Sequence, residues 1–211
     1  MRLLDGRVLI AGGYVPNGAA GRAELFDPSK ETFEPAGVMV EATANNSAVL
    51  LQDGRVLLLG GNLPIPGESQ PQLAQLYDPA TGKFQSLDWR APNGVSATVL
   101  PSGKVLIAGG WKNGITYLFD PEAGSFRPVG SSHLYPFSRY WHTATLLRNG
   151  TVLVTGGDNA GDNSNPTAEA ALYDLAAERF IGSGSMAARR QLHSATLLPG
   201  GTVLVADGIS G

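Results

Sequence analysis

GRVLLLGG, at residues 54–61, is the stretch that decides the fold, because it recurs along nearly the whole chain. Each copy has a leading glycine, an apolar run and a closing pair that ends in glycine. The other copies are GRVLIAGG at 6–13, GKVLIAGG at 103–110, GTVLVTGG at 150–157 and GTVLVADG at 201–208. Successive copies begin 48, 49, 47 and 51 residues apart. A fixed period near fifty, built from short β-type runs, predicts a propeller-like array of repeats.

Three further features keep the same phase as the glycine copies. An aromatic-Asp pair follows each of the first four copies. Another aromatic residue comes six positions after that Asp, and a Ser/Thr-Ala run precedes the next copy. The Asp residues are Asp27, Asp78, Asp120 and Asp174, and the later aromatics are Phe33, Phe84, Phe126 and Phe180. Each unit is therefore predicted to be four short antiparallel strands. The second strand, an unbroken apolar run, is expected to be buried on both faces.

These in-phase features resemble the kelch repeat, in the relaxed form found in bacterial repeat proteins and galactose-oxidase-like propellers. The resemblance covers essentially all 211 residues. Family repeats usually carry Trp at the last aromatic position, where all four units here carry Phe. The resemblance implies an all-β, kelch-type β-propeller of four four-stranded repeats plus a partial fifth, in a single domain. The predicted units are 6–44, 45–92, 93–141, 142–192 and the partial unit 193–211.

The strand tally leaves two arrangements open. The first unit starts at its second strand, and the last unit supplies only a first and a second strand, so the second strands outnumber the others. The preferred interpretation is an arc of a larger propeller, whose open blade edges invite self-association. The competing interpretation is a compact four-blade ring with a frayed tail.

Composition excludes several classes of function. A net charge of −3 and a pI near 5.6 argue against a nucleic-acid partner, which would normally meet a basic face. The chain has no Cys, so disulfides and thiolate sites are excluded. No apolar run approaches the length of a membrane span. No signal peptide is apparent at residues 1–6, and the compartment stays open.

The candidate site lies on one rim of the array. The loop after each second strand and the segment before each first strand emerge at this rim. The pattern Arg-x-x-His occurs there twice, as Arg139 with His142 and as Arg190 with His193. In the galactose-oxidase-like family, Tyr-His precedes the same strand and binds copper. Trp141 and Leu192 occupy that Tyr position, and the Cys that the family's cofactor needs is absent. A copper-radical oxidase is therefore excluded, and no cofactor, metal or catalytic residue is predicted.

Each candidate residue keeps a structural alternative. The two His either bind a metal or hydrogen-bond the backbone of the neighbouring blade. The two Arg either fork onto a carboxylate or sugar-acid ligand or lock loops to adjacent carbonyls. Trp111, Tyr140 and Trp141 form either a stacking wall or ordinary packing. The most variable parts of the repeats are the aromatic segment 131–141 and the loops 14–21, 62–71, 111–114 and 158–166. The oxygen-rich stretch 158–165 does not match the calcium-loop spacing and is interpreted as a polar turn.

The sequence favours a non-catalytic binding or scaffold module that recognises a protein or a glycan through the rim at the second-strand exits. The alternative is a fragment of a carbohydrate-directed kelch enzyme, oxidase-like or mutarotase-like, that lacks a complete copper-radical site. A third hypothesis is a structural array within a longer surface protein. No Ser/His/Asp order, phosphate loop or dinucleotide fingerprint appears in the sequence.

Overall fold

The computed structural model describes residues 1–16, 18–61, 70–111, 115–129, 139–159 and 165–210. These residues form strands, turns and loops, and no helix is assigned among them. Accordingly, the described part of the chain contains no helix long and apolar enough to cross a membrane. The chain divides into two compact units, Met1–Asn93 and Gly94–Gly211.

The described residues of the first unit form nine strands. They are β1 Val8–Ala11, β2 Tyr14–Val15, β3 Gly18–Ala19, β4 Arg22–Asp27, β5 Thr32–Val38, β6 Ser47–Leu50, β7 Val56–Leu59, β8 Gln72–Asp78 and β9 Lys83–Ala91. They form a three-stranded sheet in the order β1-β4-β5, a four-stranded sheet in the order β6-β7-β8-β9 and the small ribbon β2-β3. All these pairs are antiparallel, and bulges interrupt β4 between Arg22 and Glu24 and β8 between Leu73 and Gln75.

Twelve strands are found in the part of the second unit that the structure describes. They are β10 Val95–Val99, β11 Val105–Gly109, β12 Ile115–Asp120, β13 Ser125–Pro128, β14 Arg139–Tyr140, β15 Thr143–Leu146, β16 Val152–Thr155, β17 Asp158–Asn159, β18 Ala170–Asp174, β19 Arg179–Gly182, β20 Ser194–Leu197 and β21 Val203–Ala206. Two four-stranded sheets have the orders β10-β11-β12-β13 and β15-β16-β18-β19. The pairs β14-β17 and β20-β21 form two-stranded sheets.

The predicted four-strand repeat is confirmed. Three repeats are complete antiparallel sheets and the last has two strands. The first repeat has three assigned strands, and the antiparallel bridge between Arg2 and Val8 marks the place of its innermost strand. The unbroken apolar second strands are buried throughout in β7 and β11. The residue boundaries predicted for the individual repeats stay predictions.

Within each unit, consecutive sheets pack face to face through their second strands. In the first unit, Leu9 of β1 belongs to one buried cluster with Val56 and Leu58 of β7. In the second unit, Leu106 of β11 shares a cluster with Val152 of β16. In both pairs, one face of the earlier second strand meets the opposite face of the later one, as expected for repeats that share their core with their neighbours.

Strands β1 and β21, the second strands of the first and last repeats, are less buried than their counterparts β7 and β11. Ile10 of β1 is 44% exposed, whereas Leu58, its counterpart in β7, is 2% exposed. Leu204 of β21 is 53% exposed, whereas its counterpart Leu57 is 0% exposed. The two strands thus present, on opposite faces, positions that are buried in the middle of each unit.

The repeated Asp residues build turns. Asp27 accepts a hydrogen bond from the Ser29 backbone N–H at 2.9 Å, and Asp78 accepts one from Ala80 at 2.9 Å. Asp120 and Asp174 make the same contact with the residue two positions on. The hydrogen bonds of Ser29 lower the pKa of Asp27 to about 2. These Asp residues therefore fix the hairpins between the third and fourth strands.

Candidate functional site

The glycine doublets determine where the candidate site lies. In several repeats, the second glycine of the doublet donates its backbone N–H to a backbone carbonyl of the following repeat boundary. That carbonyl belongs to the short segment that leads into the next repeat's first strand. Gly110 bonds Arg139 O at 2.7 Å, and Gly157 bonds Arg190 O at 2.9 Å. Gly109 has a φ of +83°, and an added Cβ would lie 2.5 Å from Arg139 O and overlap the His142 ring. Only glycine allows the two segments to come this close.

Each of these segments then turns through a residue with positive φ, which we call the left-handed corner. The four corners are Asn45, Gly94, Trp141 and Leu192, at φ 56°, 74°, 57° and 57°. Asn and Gly adopt this conformation readily, whereas Trp and Leu do so at a cost of about 1 kcal/mol. The Leu192 N–H donates to Trp141 O at 3.0 Å, which joins the last two corners directly.

Three aromatic side chains meet at the Trp141 corner, and we call them the aromatic ledge. The ring centroids of Trp111 and Tyr140 are 4.9 Å apart, and those of Tyr140 and Trp141 are 4.3 Å apart. Tyr140 is 7% exposed, and its backbone and Cβ lie so close to Gly94 that an added Cβ there would be 2.5 Å away. Burial, followed by the charge of Asp158, raises the pKa of Tyr140. Trp141 is 41% exposed and offers its ring to solvent.

The two candidate His side chains are buried against hydroxyl groups. His142 Nε2 is 2.8 Å from Ser96 Oγ of β10, and His193 Nε2 is 3.0 Å from Thr143 Oγ1 and 3.1 Å from Thr155 Oγ1. Burial, with the nearby positive charge of Arg139, lowers the pKa of His142 to about 4. Burial also lowers the pKa of His193. Both rings are therefore neutral near pH 7, and each joins two neighbouring sheets.

The two Arg side chains also have partners within the chain. Arg139 is 1% exposed, and its guanidinium donates to the carboxylate of Glu169. Arg190 donates to the Asp207 carbonyl at 2.8 Å. These contacts match the loop-holding alternative. The binding roles predicted for Arg139, Arg190, His142 and His193 stay predictions.

A polar cleft beside the ledge was not predicted from the sequence. It has a volume of about 280 Å³ and is lined by Asn159, Asn165, Thr167, Glu169, Ser185 and Arg189. Strand β17, which ends in Asn159, pairs with β14, which ends in Tyr140, so the cleft adjoins the ledge. The concentration of Asn in residues 158–165 is the sequence signal that marks this place, although it gives no hint of the facing wall at 185–189.

A second cavity lies at the hairpin rim of the first unit. It has a volume of about 310 Å³, and its lining includes Asp5, Arg7, Asp53 and Arg55. Each Arg pairs with the Asp two residues before it, at 2.7 Å. These guanidinium groups therefore already have anionic partners within their own hairpins.

Several predicted features fall on positions where no structure can be given. Residues 62–69, 112–114, 131–138 and 160–164 lie outside the described residues, so the predictions for His133, Tyr135 and Phe137 cannot be placed. Among the described residues, no group of three or more His, Cys, Asp or Glu side chains is arranged to hold one metal ion.

Comparison with known proteins decides the type of repeat. No family model matches the chain. Kelch-like protein 23 of Pongo abelii is 29% identical over 157 residues, and the human protein of the same name is 26% identical over 154 residues. Galactose oxidase of Gibberella zeae is 26% identical over an alignment of 234 residues, which covers 97% of this chain. Its repeats are of the kelch type, similar to those of these relatives.

The kelch repeats match only a part of each relative. The aligned region is 27% of the length of Kelch-like protein 23 and 34% of the length of galactose oxidase. The resemblance drawn from the glycine doublets and in-phase aromatics is thus confirmed, as is the all-β fold. The ligand, and the residues that contact it, are not decided by these similarities.

Proposed function

We propose that the kelch repeats form a non-catalytic binding module that recognises a protein or a glycan at the rim where the second strands end. The observation that carries the proposal is the aromatic ledge, in which Trp141 is held at a left-handed corner with 41% of its surface exposed. A bulky residue in a disfavoured backbone conformation, presented to solvent, is typical of a binding site. An aromatic face of this kind stacks on sugar rings or on apolar side chains.

The partners of the buried polar groups support binding without catalysis. A general base must reach its substrate, but His142 and His193 direct their Nε2 atoms at hydroxyl groups of the preceding repeat. Arg139 is similarly held by Glu169. We therefore assign His142, His193 and Arg139 a structural role next to the aromatic ledge.

The second candidate is a fragment of a carbohydrate-directed enzyme. It is favoured by the alignment with galactose oxidase, which covers 97% of the chain. The resemblance of the segments around His142 and His193 to the copper-binding segment of that family also favours it. Turnover of a sugar by the 211-residue chain, lost in His142→Asn, would favour this candidate over the binding module.

Glycan and peptide arrays probed with the wild-type chain and with Trp141→Ala test the proposal. We expect the wild type to select a ligand and Trp141→Ala to lose at least tenfold in affinity, about 1.4 kcal/mol. Phe33→Ala is the matched control, because Phe33 is also an exposed aromatic, at 58%, but lies on the fourth strand β5. Undiminished binding by Trp141→Ala would remove the ledge from the site.

We also propose self-association as a second kind of partnership. Ile10 and Leu204 expose opposite faces of their second strands, and these are the faces that pack together inside each unit. The exposed face of β21 on one copy therefore has a suitable partner in the exposed face of β1 on another.

A further inference from the structure

We propose that the polar cleft beside the aromatic ledge binds the carboxylated ring of an acidic oligosaccharide. The inference rests on the proposed function and names its ligand class. The cleft residues belong to none of the positions predicted from the sequence, apart from lying within or near the variable loop 158–166.

The cleft is built on fixed backbone. Its two walls are joined by hydrogen bonds from Arg190 N–H to Thr167 O, at 3.1 Å, and from Met186 N–H to Ala168 O, at 2.8 Å. Asp158, which is fully buried, accepts the Asn165 N–H with both carboxylate oxygens at 3.1 Å. A ligand therefore meets groups that are already positioned, which reduces the entropy lost on binding.

The cleft also presents an acceptor to a ligand. The Glu169 carboxylate, half of whose side-chain surface is exposed, lies on the cleft. Sugar hydroxyls can donate to this carboxylate, and they can accept in turn from the Thr167 and Ser185 hydroxyls.

Arg189 supplies the charge that selects an acid. Its side chain is exposed on the cleft, and it takes part in none of the ion pairs found among the described residues. A guanidinium binds a carboxylate through two parallel N–H bonds. The Glu169 charge is already balanced by Arg139, so it does not cancel the attraction. A uronate ring, with one carboxylate and several hydroxyls, fits both the charge and the hydrogen-bonding groups.

The test compares a short oligogalacturonate with its carboxyl-reduced, neutral counterpart by calorimetric titration. We expect the acidic sugar to bind about tenfold more tightly or better, as a charge-assisted bidentate contact allows. Arg189→Gln should abolish that preference. Arg179→Gln is the matched control, because Arg179 is an exposed Arg on the fourth strand β19 and its removal changes the net charge equally.

Two further variants separate this inference from the proposed function. Ser185→Trp should fill the cleft and block both sugars, and Trp141→Ala should weaken both sugars. Equal binding of the two sugars, or a preference that survives Arg189→Gln, would overturn the inference. If the chain binds neither sugar but still binds an array ligand through Trp141, the cleft assignment fails and the binding module stands. If Trp141→Ala binds every ligand normally, the proposed function itself fails.

Discussion

Individual side chains at the rim divide into supports and contacts. His142 and His193 repeat the same position of adjacent units, and each bonds a hydroxyl of the preceding repeat. The sequence was sufficient to place them beside the first strand and to offer the structural alternative. It predicted backbone partners, however, whereas the structure has Ser and Thr hydroxyls. Such partners cannot be predicted from one repeat, because they come from a strand about fifty residues earlier.

The burial of His142 leads to a prediction about acid. Its pKa in the folded chain, about 4, lies below the ordinary value of 6.5 for His, so the unfolded chain binds protons more readily than the folded one. The stability is then fully present above about pH 6.5 and falls as the pH drops towards 4. Between about pH 7.5 and pH 5 we expect His142 to contribute a loss of about 2 kcal/mol in the free energy of unfolding, measured by urea titration.

His142→Asn is the matched variant for that measurement. Asn46 occupies the corresponding position just before strand β6, and its Nδ2 donates to Thr43 Oγ1 at 2.9 Å. The position before a first strand therefore accommodates an Asn side chain. The variant should lose about half or more of the pH dependence, and His193 accounts for the remainder. An identical pH dependence in the two proteins would show that the buried ring does not control it.

At the scale of elements, the four-strand repeat could be predicted because several local signals agree. The Asp-Gly and related dipeptides specify hairpins, the apolar run specifies a doubly buried strand, and the Asp near the end of the third strand forms its own turn. The polar cleft could not be predicted, because its walls come from a loop within one repeat and a segment that leads to the next. Their side chains meet only when the backbone bonds between Arg190 and Thr167 form.

Two glycines with the same backbone conformation test the packing role of the doublet. Gly109 and Gly150 have φ of +83° and +87°, but an added Cβ at Gly109 would overlap His142, whereas Gly150 has nothing within 4 Å. Gly150→Ala should cost about 1 kcal/mol from backbone conformation alone. Gly109→Ala should cost about 3 kcal/mol or more.

Thermal melting measures the difference between these two variants. At about 2–4 °C per kcal/mol for a chain of this size, Gly109→Ala should melt roughly 4–8 °C below Gly150→Ala. Equal melting temperatures would mean that the doublet is needed for its φ and not for close contact between repeats.

At the scale of the whole molecule, the exposed faces of β1 and β21 predict association between copies. Ile10 and Leu204 occupy positions that are buried in β7 and β11. Sedimentation of the 22.0 kDa chain should therefore show mass that rises with concentration.

The double variant Ile10→Glu/Leu204→Glu should sediment as a monomer, because charge on either face opposes burial. The control Leu4→Glu changes a residue that is 73% exposed outside these strands and should leave the association unchanged. A wild type that stays monomeric at every concentration would contradict the prediction.

The most direct measurement is oxidative footprinting of the chain with and without its strongest array ligand. The exposed Trp141 ring is the reporter at the second-strand rim, and Leu4, which lines the cavity at the hairpin rim of the first unit, is the reference. We predict that ligand lowers the oxidation of Trp141 and leaves that of Leu4 unchanged. Protection of Leu4 with no change at Trp141 would place recognition on the hairpin rim and contradict the account.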